Sequence, residues 1–130
     1  MNLSELKVLV IDDSVYKAMD ITRALEYSGI RDVVRARHQE AGFEKIYQNR
    51  NAGTPVGLIV TDMQYPLYSG MDEDTDAGFK LIERLKKEGL DIPVIICSSG
   101  NYEEPEILGC VWYSELRDLN RDFKEVLSRL

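Results

Sequence analysis

Residues 6–14 read LKVLVIDDS, a short apolar run that ends abruptly at Asp12 and Asp13. The run has consecutive apolar side chains, several of them β-branched, instead of alternating apolar and polar ones. This pattern is typical of a strand that is buried on both faces of a parallel sheet. We therefore predict the first strand of the fold here, with two carboxylates at its carboxyl end.

A helix is predicted directly after this strand, because the apolar residues now recur with the period of a helix. Ser14 is suited to cap the start of this helix, and Gly29 is suited to end it. The predicted buried face comprises Val15, Ala18, Ile21 or Thr22, and Leu25.

The same alternation of strands and helices continues along the chain. Further strands are predicted at residues 32–36, 58–61, 93–97 and 110–113. Helices are predicted at residues 40–48 and 77–88, the latter capped by Asp76, with turn chemistry at 49–57 and at most a short helical turn at 103–108. The last helix has an apolar stripe made of Leu116, Leu119, Phe123, Val126, Leu127 and Leu130.

Continuous apolar strands that alternate with helices predict an α/β fold with a parallel sheet covered on both faces. Right-handed crossovers then give a flavodoxin-like, doubly wound, five-stranded parallel sheet, (βα)5, with a shortened fourth helix. We expect residues 1–130 to form a single domain without an output domain.

Charge and composition exclude several classes of function. The net charge is −7, which disfavours a nucleic-acid binder, because phosphate contacts need clustered lysine and arginine. No apolar stretch approaches the length of a signal peptide or a membrane span. Cys97 and Cys110 both lie in apolar runs, which indicates buried free thiols and a cytoplasmic location.

The carboxylates at the strand ends are the candidate site. The first strand ends in Asp12 and Asp13, the third strand ends in Asp62, and these strands are neighbours in a flavodoxin-like sheet. Converging carboxylates repel one another unless a cation neutralises them, and their hard oxygen atoms suit Mg²⁺. A carboxylate beside such a metal can attack phosphorus and form an acyl phosphate. For one of these acids alone, a solvated loop residue would be the better interpretation.

Three segments resemble the signature segments of response-regulator receiver domains of two-component signalling, the CheY-like family. They are VLVIDDS at 8–14, LIVTDMQYP at 58–66 and PVIICSS at 93–99, and the resemblance extends over residues 6–130. It implies that Asp62 is the phosphoacceptor, and that Asp12, Asp13, Asp62 and the backbone carbonyl of Gln64 hold Mg²⁺. It also implies that Ser98 binds the phosphoryl group, and that a histidine kinase or phosphotransferase is the partner.

The sequence departs from the family at the end of the fifth strand, where the family has a lysine followed by proline. Ser114 and Glu115 stand there instead, and Lys80, Lys86, Lys87 and Lys124 fall on other elements. A long side chain from another element is an alternative that the sequence does not identify. The aromatic switch position is best matched by Val111, followed by Trp112 and Tyr113, one of which we expect to pack in the core.

A second departure is the extended loop after Asp62. We predict that its acids, from Asp72 to Asp76, form a mobile acidic lid beside the site. Asp72, Asp74, Asp76 and Glu83 also have the spacing of a Ca²⁺-binding EF-hand loop, but Ala77 stands where the sharp turn needs glycine. His38 is predicted to be a solvated surface residue.

Two functions remain open at this point. The first is an atypical stand-alone receiver, not an enzyme beyond self-catalysed phosphotransfer and autodephosphorylation, that is phosphorylated on Asp62 with Mg²⁺. The second is a pseudo-receiver, an interaction module that no longer cycles phosphate, which the missing lysine and the short fourth helix favour. A flavodoxin or a nucleotide-binding enzyme is disfavoured, because no glycine-rich phosphate loop follows the first strand.

Overall fold

Five parallel strands form one sheet in the order β2-β1-β3-β6-β7. The computed structural model describes residues 2–130. The seven strands are β1 (Lys7–Ile11), β2 (Asp32–Ala36), β3 (Leu58–Thr61), β4 (Tyr65–Pro66), β5 (Glu73–Asp74), β6 (Val94–Ser98) and β7 (Gly109–Trp112). The helices are a 3₁₀ turn (Leu3–Glu5), α1 (Val15–Tyr27), α2 (Gln39–Asn51), α3 (Ala77–Lys87) and α4 (Leu119–Leu127). Strands β4 and β5 pair with each other as a short antiparallel hairpin.

This architecture confirms the predicted flavodoxin-like fold. The first strand lies between the second and the third, and the last two strands extend the sheet on the far side of β3. In place of a fourth helix, residues 99–108 form turns, bends and irregular backbone, in line with the prediction of at most a short helical turn at 103–108. The segment is anchored at its end, where the Leu108 N–H donates to the Val94 carbonyl at 2.8 Å.

Helix α2 is longer than predicted at both ends. It begins at Gln39 and runs to Asn51, so the first residues of the predicted turn at 49–57 are helical. His38, expected to be a solvated surface residue, is partly exposed and also caps this helix, because its Nδ1 accepts the N–H of Ala41 at 3.2 Å. Asp76 stands at the start of α3 as predicted, but its side chain makes no capping hydrogen bond.

Two apolar layers cover the two faces of the sheet. Helices α1 and α4 pack on one face, where Ile21, Leu25 and Phe123 are fully buried. Helices α2 and α3 cover the other face. Two predicted core positions are wrong: Val15 is half exposed, and Leu116 is 91% exposed because it precedes the first turn of α4.

The two cysteines differ in their surroundings. Cys97 is buried in β6, and burial raises the pKa of its thiol to about 12. Cys110 is only partly buried and is also a free thiol. Both are therefore protonated near neutral pH, and neither is an activated nucleophile.

We expect Phe123→Ala to lower the free energy of unfolding by about 3–5 kcal/mol, because it removes a fully buried ring between α4 and the sheet. Leu116→Ala is the matched control and should change it by less than about 0.5 kcal/mol. Urea denaturation followed by circular dichroism measures both. Equal losses in the two variants would contradict the assignment of Leu116 to the surface.

An acidic pocket with a buried lysine

The register of the central strands brings the acidic residues together. Ile11 and Thr61 are partners in the β1–β3 pairing, so Asp12 and Asp62, which follow them, leave the sheet side by side. Oxygen atoms of Asp12, Asp13 and Asp62 lie within 4.8 Å of one another. This convergence is the geometry that the sequence predicts for the carboxyl ends of neighbouring strands.

The backbone holds Asp62 in place. Its N–H donates to the Ile11 carbonyl at 3.1 Å, and its Oδ1 accepts the N–H of Met63 at 2.7 Å. Helix α3 begins against the same peptide: a Cβ on Gly78 would lie 3.0 Å from the Asp62 carbonyl oxygen. A larger residue at position 78 would therefore push α3 away from the loop that carries Asp62.

A buried polar network supports this loop from below. Thr61 Oγ1 lies 2.9 Å from the Tyr65 hydroxyl, which also lies 3.4 Å from Gln39 Nε2. Gln39 donates in addition to the Ala77 carbonyl at 3.0 Å. Burial raises the pKa of Tyr65 to about 12, so its hydroxyl stays protonated and links β3, α2 and the start of α3.

Asp12 is the most deeply buried of the acids. Its Oδ1 accepts the N–H of Ser14 at 2.9 Å, whereas its buried Oδ2 has no hydrogen-bond donor with good geometry. Burial raises the pKa of Asp12, although nearby Lys17 acts in the opposite direction. A carboxylate oxygen buried without a donor is costly unless a cation lies close to it.

Lys17 supplies such a cation. Its Nζ lies 3.0 Å from Asp12 Oδ2 and 3.0 Å from Asp62 Oδ1, and only 9% of its side chain is exposed. Burial by itself lowers the pKa of Lys17, but the charges of the two carboxylates outweigh it and leave the pKa raised. The ammonium group is therefore charged at neutral pH and bridges the two acids.

Lys17 is the pocket residue that the sequence analysis does not anticipate. The lysines named there as alternatives lie on α3 and α4, whereas Lys17 lies in the first turn of α1. A signal was available: Lys17, Ile21 and Ala24 are spaced as one helical stripe, and all three are buried. A lysine in a buried stripe, directly after an acidic strand end, is expected to have a carboxylate partner.

Tyr113 covers the lysine from the end of β7. The Lys17 ammonium lies 5.5 Å from the centre of the Tyr113 ring, a distance that allows a cation–π contact. The Tyr113 hydroxyl donates to Asp20 Oδ2 at 2.6 Å, and this hydrogen bond raises the pKa of Tyr113 to about 12. Trp112 is exposed and donates through its Nε1 to the Ser99 carbonyl at 2.8 Å.

A pocket of about 250 Å³ opens above Asp62 and Lys17. Ser98 at the end of β6 lines it, as do Gln64 and Tyr102. The remaining lining residues are Glu73, Ser99 and Tyr113. The structure thus places Ser98 and Gln64 in the same pocket as Asp62.

The predicted acidic lid is an ordered hairpin at its base, formed by β4 and β5. It carries Glu73 towards the pocket. A hydrogen bond with Asp13 is the main cause of a raised pKa for Glu73, and repulsion by the charge of Asp13 raises the pKa further. Asp74 pairs instead with Lys80 and accepts the N–H of Asp76 at 2.8 Å. Within residues 2–130, the aspartates at the strand ends are the acids that gather with metal-ligand spacing, and the EF-hand candidates do not.

The donor set of the pocket fits a hard divalent cation. Three carboxylates converge, and their oxygen atoms lie within 4.8 Å of one another. Mg²⁺ prefers one or two carboxylates together with waters and substrate oxygens. An open pocket beside Asp62 leaves room for those additional ligands.

The sequence profile of the response regulator receiver domain matches residues 8–112. The chain belongs to the response regulator receiver domain family. Its resemblance to two-component receivers is thereby confirmed, and the matched segment contains the three aspartates and Lys17. No curated protein matches the chain at a significant level.

Solved receiver structures share the fold. The chemotaxis response regulator CheY4 of Vibrio cholerae is 16% identical with a TM-score of 0.70, and the match covers 96% of this chain and 98% of CheY4. The response regulator TrrA of Thermotoga maritima, in complex with Mg²⁺ and beryllofluoride, is 17% identical with a TM-score of 0.71, covering 96% and 99%. A receiver domain protein of Clostridium thermocellum is 22% identical with a TM-score of 0.65, covering 95% and 91%.

The helices of residues 2–130 include none with the length and apolar character needed to cross a membrane.

We expect Tyr65→Phe to lower the free energy of unfolding by about 1–3 kcal/mol, because it leaves buried polar groups of Thr61 and Gln39 without their shared partner. Tyr16→Phe removes a hydroxyl from an exposed ring and serves as the control. Urea denaturation measures both variants. A loss no larger than that of the control would mean that the network does not stabilise the loop.

Proposed function

We propose that this receiver domain is a phosphoacceptor in a two-component phosphorelay and accepts a phosphoryl group on Asp62 in the presence of Mg²⁺. The observation that carries the proposal is the state of the Asp62 carboxylate. Its Oδ1 is engaged by Met63 and Lys17, while no hydrogen bond to Oδ2 is found among residues 2–130. One oxygen of a fixed carboxylate is therefore free to act as the nucleophile beside an open pocket.

The aspartates and Gln64 are the proposed ligands of the metal. Asp12, Asp13 and Asp62 offer carboxylate oxygens within 4.8 Å of one another, and Gln64 contributes its backbone carbonyl. Bound Mg²⁺ would neutralise charge on the transferring phosphoryl group. TrrA, whose structure contains Mg²⁺ and beryllofluoride, and Rcp1, whose structure contains Mn²⁺, support a divalent cation in this fold.

The proposed reaction uses few protein groups. Asp62 Oδ2 attacks phosphorus, a new oxygen–phosphorus bond forms, and the bond from phosphorus to its leaving group breaks. With acetyl phosphate as donor, acetate leaves with the electron pair of that bond. Ser98 lies at the pocket wall, where its hydroxyl is suited to donate to a phosphoryl oxygen. Hydrolysis of the aspartyl phosphate would return the resting carboxylate.

The proposed donor in the cell is a histidine kinase or a phosphotransferase, and we propose that the protein acts in the cytoplasm. The net charge of −7 favours basic surfaces on its partners. The pseudo-receiver alternative rested on the missing lysine at the strand end and on the short fourth helix, and residues 99–108 form no helix. The first of these two arguments requires that no cation lies near Asp62. Lys17 at 3.0 Å from that carboxylate weakens this argument.

Incubation with acetyl phosphate or phosphoramidate and Mg²⁺ is expected to add one phosphoryl group to the protein. Intact-mass spectrometry measures the product, and Asp62→Asn is the control that should remain unmodified. Omission of Mg²⁺ should also prevent the reaction. If folded wild-type protein gains no mass and does not bind beryllofluoride, the phosphoacceptor function is wrong and the domain is a pseudo-receiver.

We expect Asp13→Asn to weaken Mg²⁺ binding by about tenfold or more, because it removes one of the converging charges that attract the metal. Isothermal titration calorimetry measures the affinity. Asp91→Asn removes an exposed charge outside the pocket and is the matched control. Equal affinities in the two variants would remove Asp13 from the ligand set.

A further inference from the structure

The pocket combines a nucleophile with strong negative charge, and a phosphoryl donor adds more. Asp62 and Glu73 line it, and Glu73 lies against Asp13. Carboxylate oxygens of Asp12 and Asp13 lie within 4.8 Å of one of Asp62. An approaching phosphoryl group carries charge on three oxygens, which the carboxylates repel. A divalent metal offsets part of this repulsion, and a second cation beside the attacking oxygen would offset more.

Lys17 is placed to provide that second cation. Its Nζ contacts the same Asp62 carboxylate that would attack, at 3.0 Å, and it lines the pocket above that residue. None of the other residues that line the pocket has a cationic side chain. Because most of its side chain is buried, the ammonium group acts where water screens charge weakly.

The lysine is also held in position before any substrate arrives. The Tyr113 ring covers the ammonium, and the Tyr113 hydroxyl is fixed by Asp20, one turn along α1 from Lys17. Asp12 holds the ammonium from below at 3.0 Å. A charge that is already oriented does not have to reorganise during the reaction, which is the condition for effective electrostatic stabilisation.

We propose that Lys17 of α1 binds the phosphoryl oxygens during transfer to Asp62, in place of the lysine that the family has at the end of its fifth strand. At this strand end Tyr113 lines the pocket, whereas Ser114, which the resemblance aligns with the family's lysine, does not. The cation has therefore moved from a strand end to a helix. This inference rests on the proposed phosphoacceptor function of Asp62. It assigns the same chemical role to a residue that reaches the pocket from another direction.

The competing interpretation is that Lys17 only balances the charge of Asp12 and Asp62 while no metal is bound. The two interpretations predict opposite effects of Lys17→Met at saturating Mg²⁺. A mere counter-ion competes with the metal, so its removal should tighten Mg²⁺ binding and leave phosphorylation unchanged or faster. A phosphoryl ligand stabilises the transition state, so its removal should slow phosphorylation by roughly 100-fold even when metal is saturating.

The experiment measures the initial rate of phosphorylation by phosphoramidate and the affinity for beryllofluoride, for folded wild type and Lys17→Met. Lys124→Met removes an exposed lysine on α4 and is the matched control. The double variant Lys17→Met with Tyr113→Lys places a lysine at the residue of this strand end that lines the pocket. We expect it to recover at least about tenfold of the lost rate, since a merely structural role of Lys17 would not be restored from β7.

A wild-type measurement keeps the inference testable if Lys17→Met does not fold. The ¹⁵N resonance of the Lys17 ammonium group, assigned by its disappearance in Lys17→Arg, should shift when beryllofluoride and Mg²⁺ bind. An unchanged resonance, or an unchanged rate in folded Lys17→Met, would overturn the role of Lys17 alone. Failure of the wild type to bind beryllofluoride or to be phosphorylated would instead overturn the proposed function of Asp62.

Discussion

The charge balance between Lys17, Asp12 and Asp62 is the constraint on which the site depends. Parallel pairing of β1 with β3 forces the two carboxylates together, and burial of Asp12 removes water that would otherwise stabilise its charge. Lys17 compensates both acids from a single position, 3.0 Å from each. Without this cation or a metal, repulsion between the carboxylates that the strand register brings together would disfavour their ionised forms.

The supporting groups explain why the pocket keeps this shape. Tyr65 joins β3 to α2 through Thr61 and Gln39, so the loop after Asp62 is fixed from the buried side. Gly78 lets α3 begin in direct contact with the Asp62 peptide. Asp62 therefore lies on a well-supported loop. The hairpin with Glu73 and the segment without a helix contribute the outer wall of the pocket.

The fold could be predicted from the sequence because its signals are local and repeated. Apolar strands of consistent length alternate with amphipathic helices, and the acids that end β1 and β3 follow from the sheet order. Lys17 could not be predicted for a physical reason. Its position on a helix follows from the sequence, but the contact of its ammonium group with Asp62 at the end of another strand does not. The prediction that Leu116 is buried was wrong for a similar reason: the apolar periodicity extends to residues before Leu119, where α4 begins.

The origin of the cation changes which elements the pocket connects. Asp12, Asp13 and Lys17 all belong to one short segment at the β1–α1 junction, so most of the charge balance is local in the chain. The end of β7 contributes Tyr113, which contacts this segment through its ring and through Asp20 rather than through a charge of its own. A change in the position of Lys17 would therefore reach β7 by way of an aromatic contact and a hydrogen bond. These two interactions have a shorter range than an ion pair. The end of β7 is therefore coupled more weakly to the charge of the pocket than it would be through a lysine at the strand end.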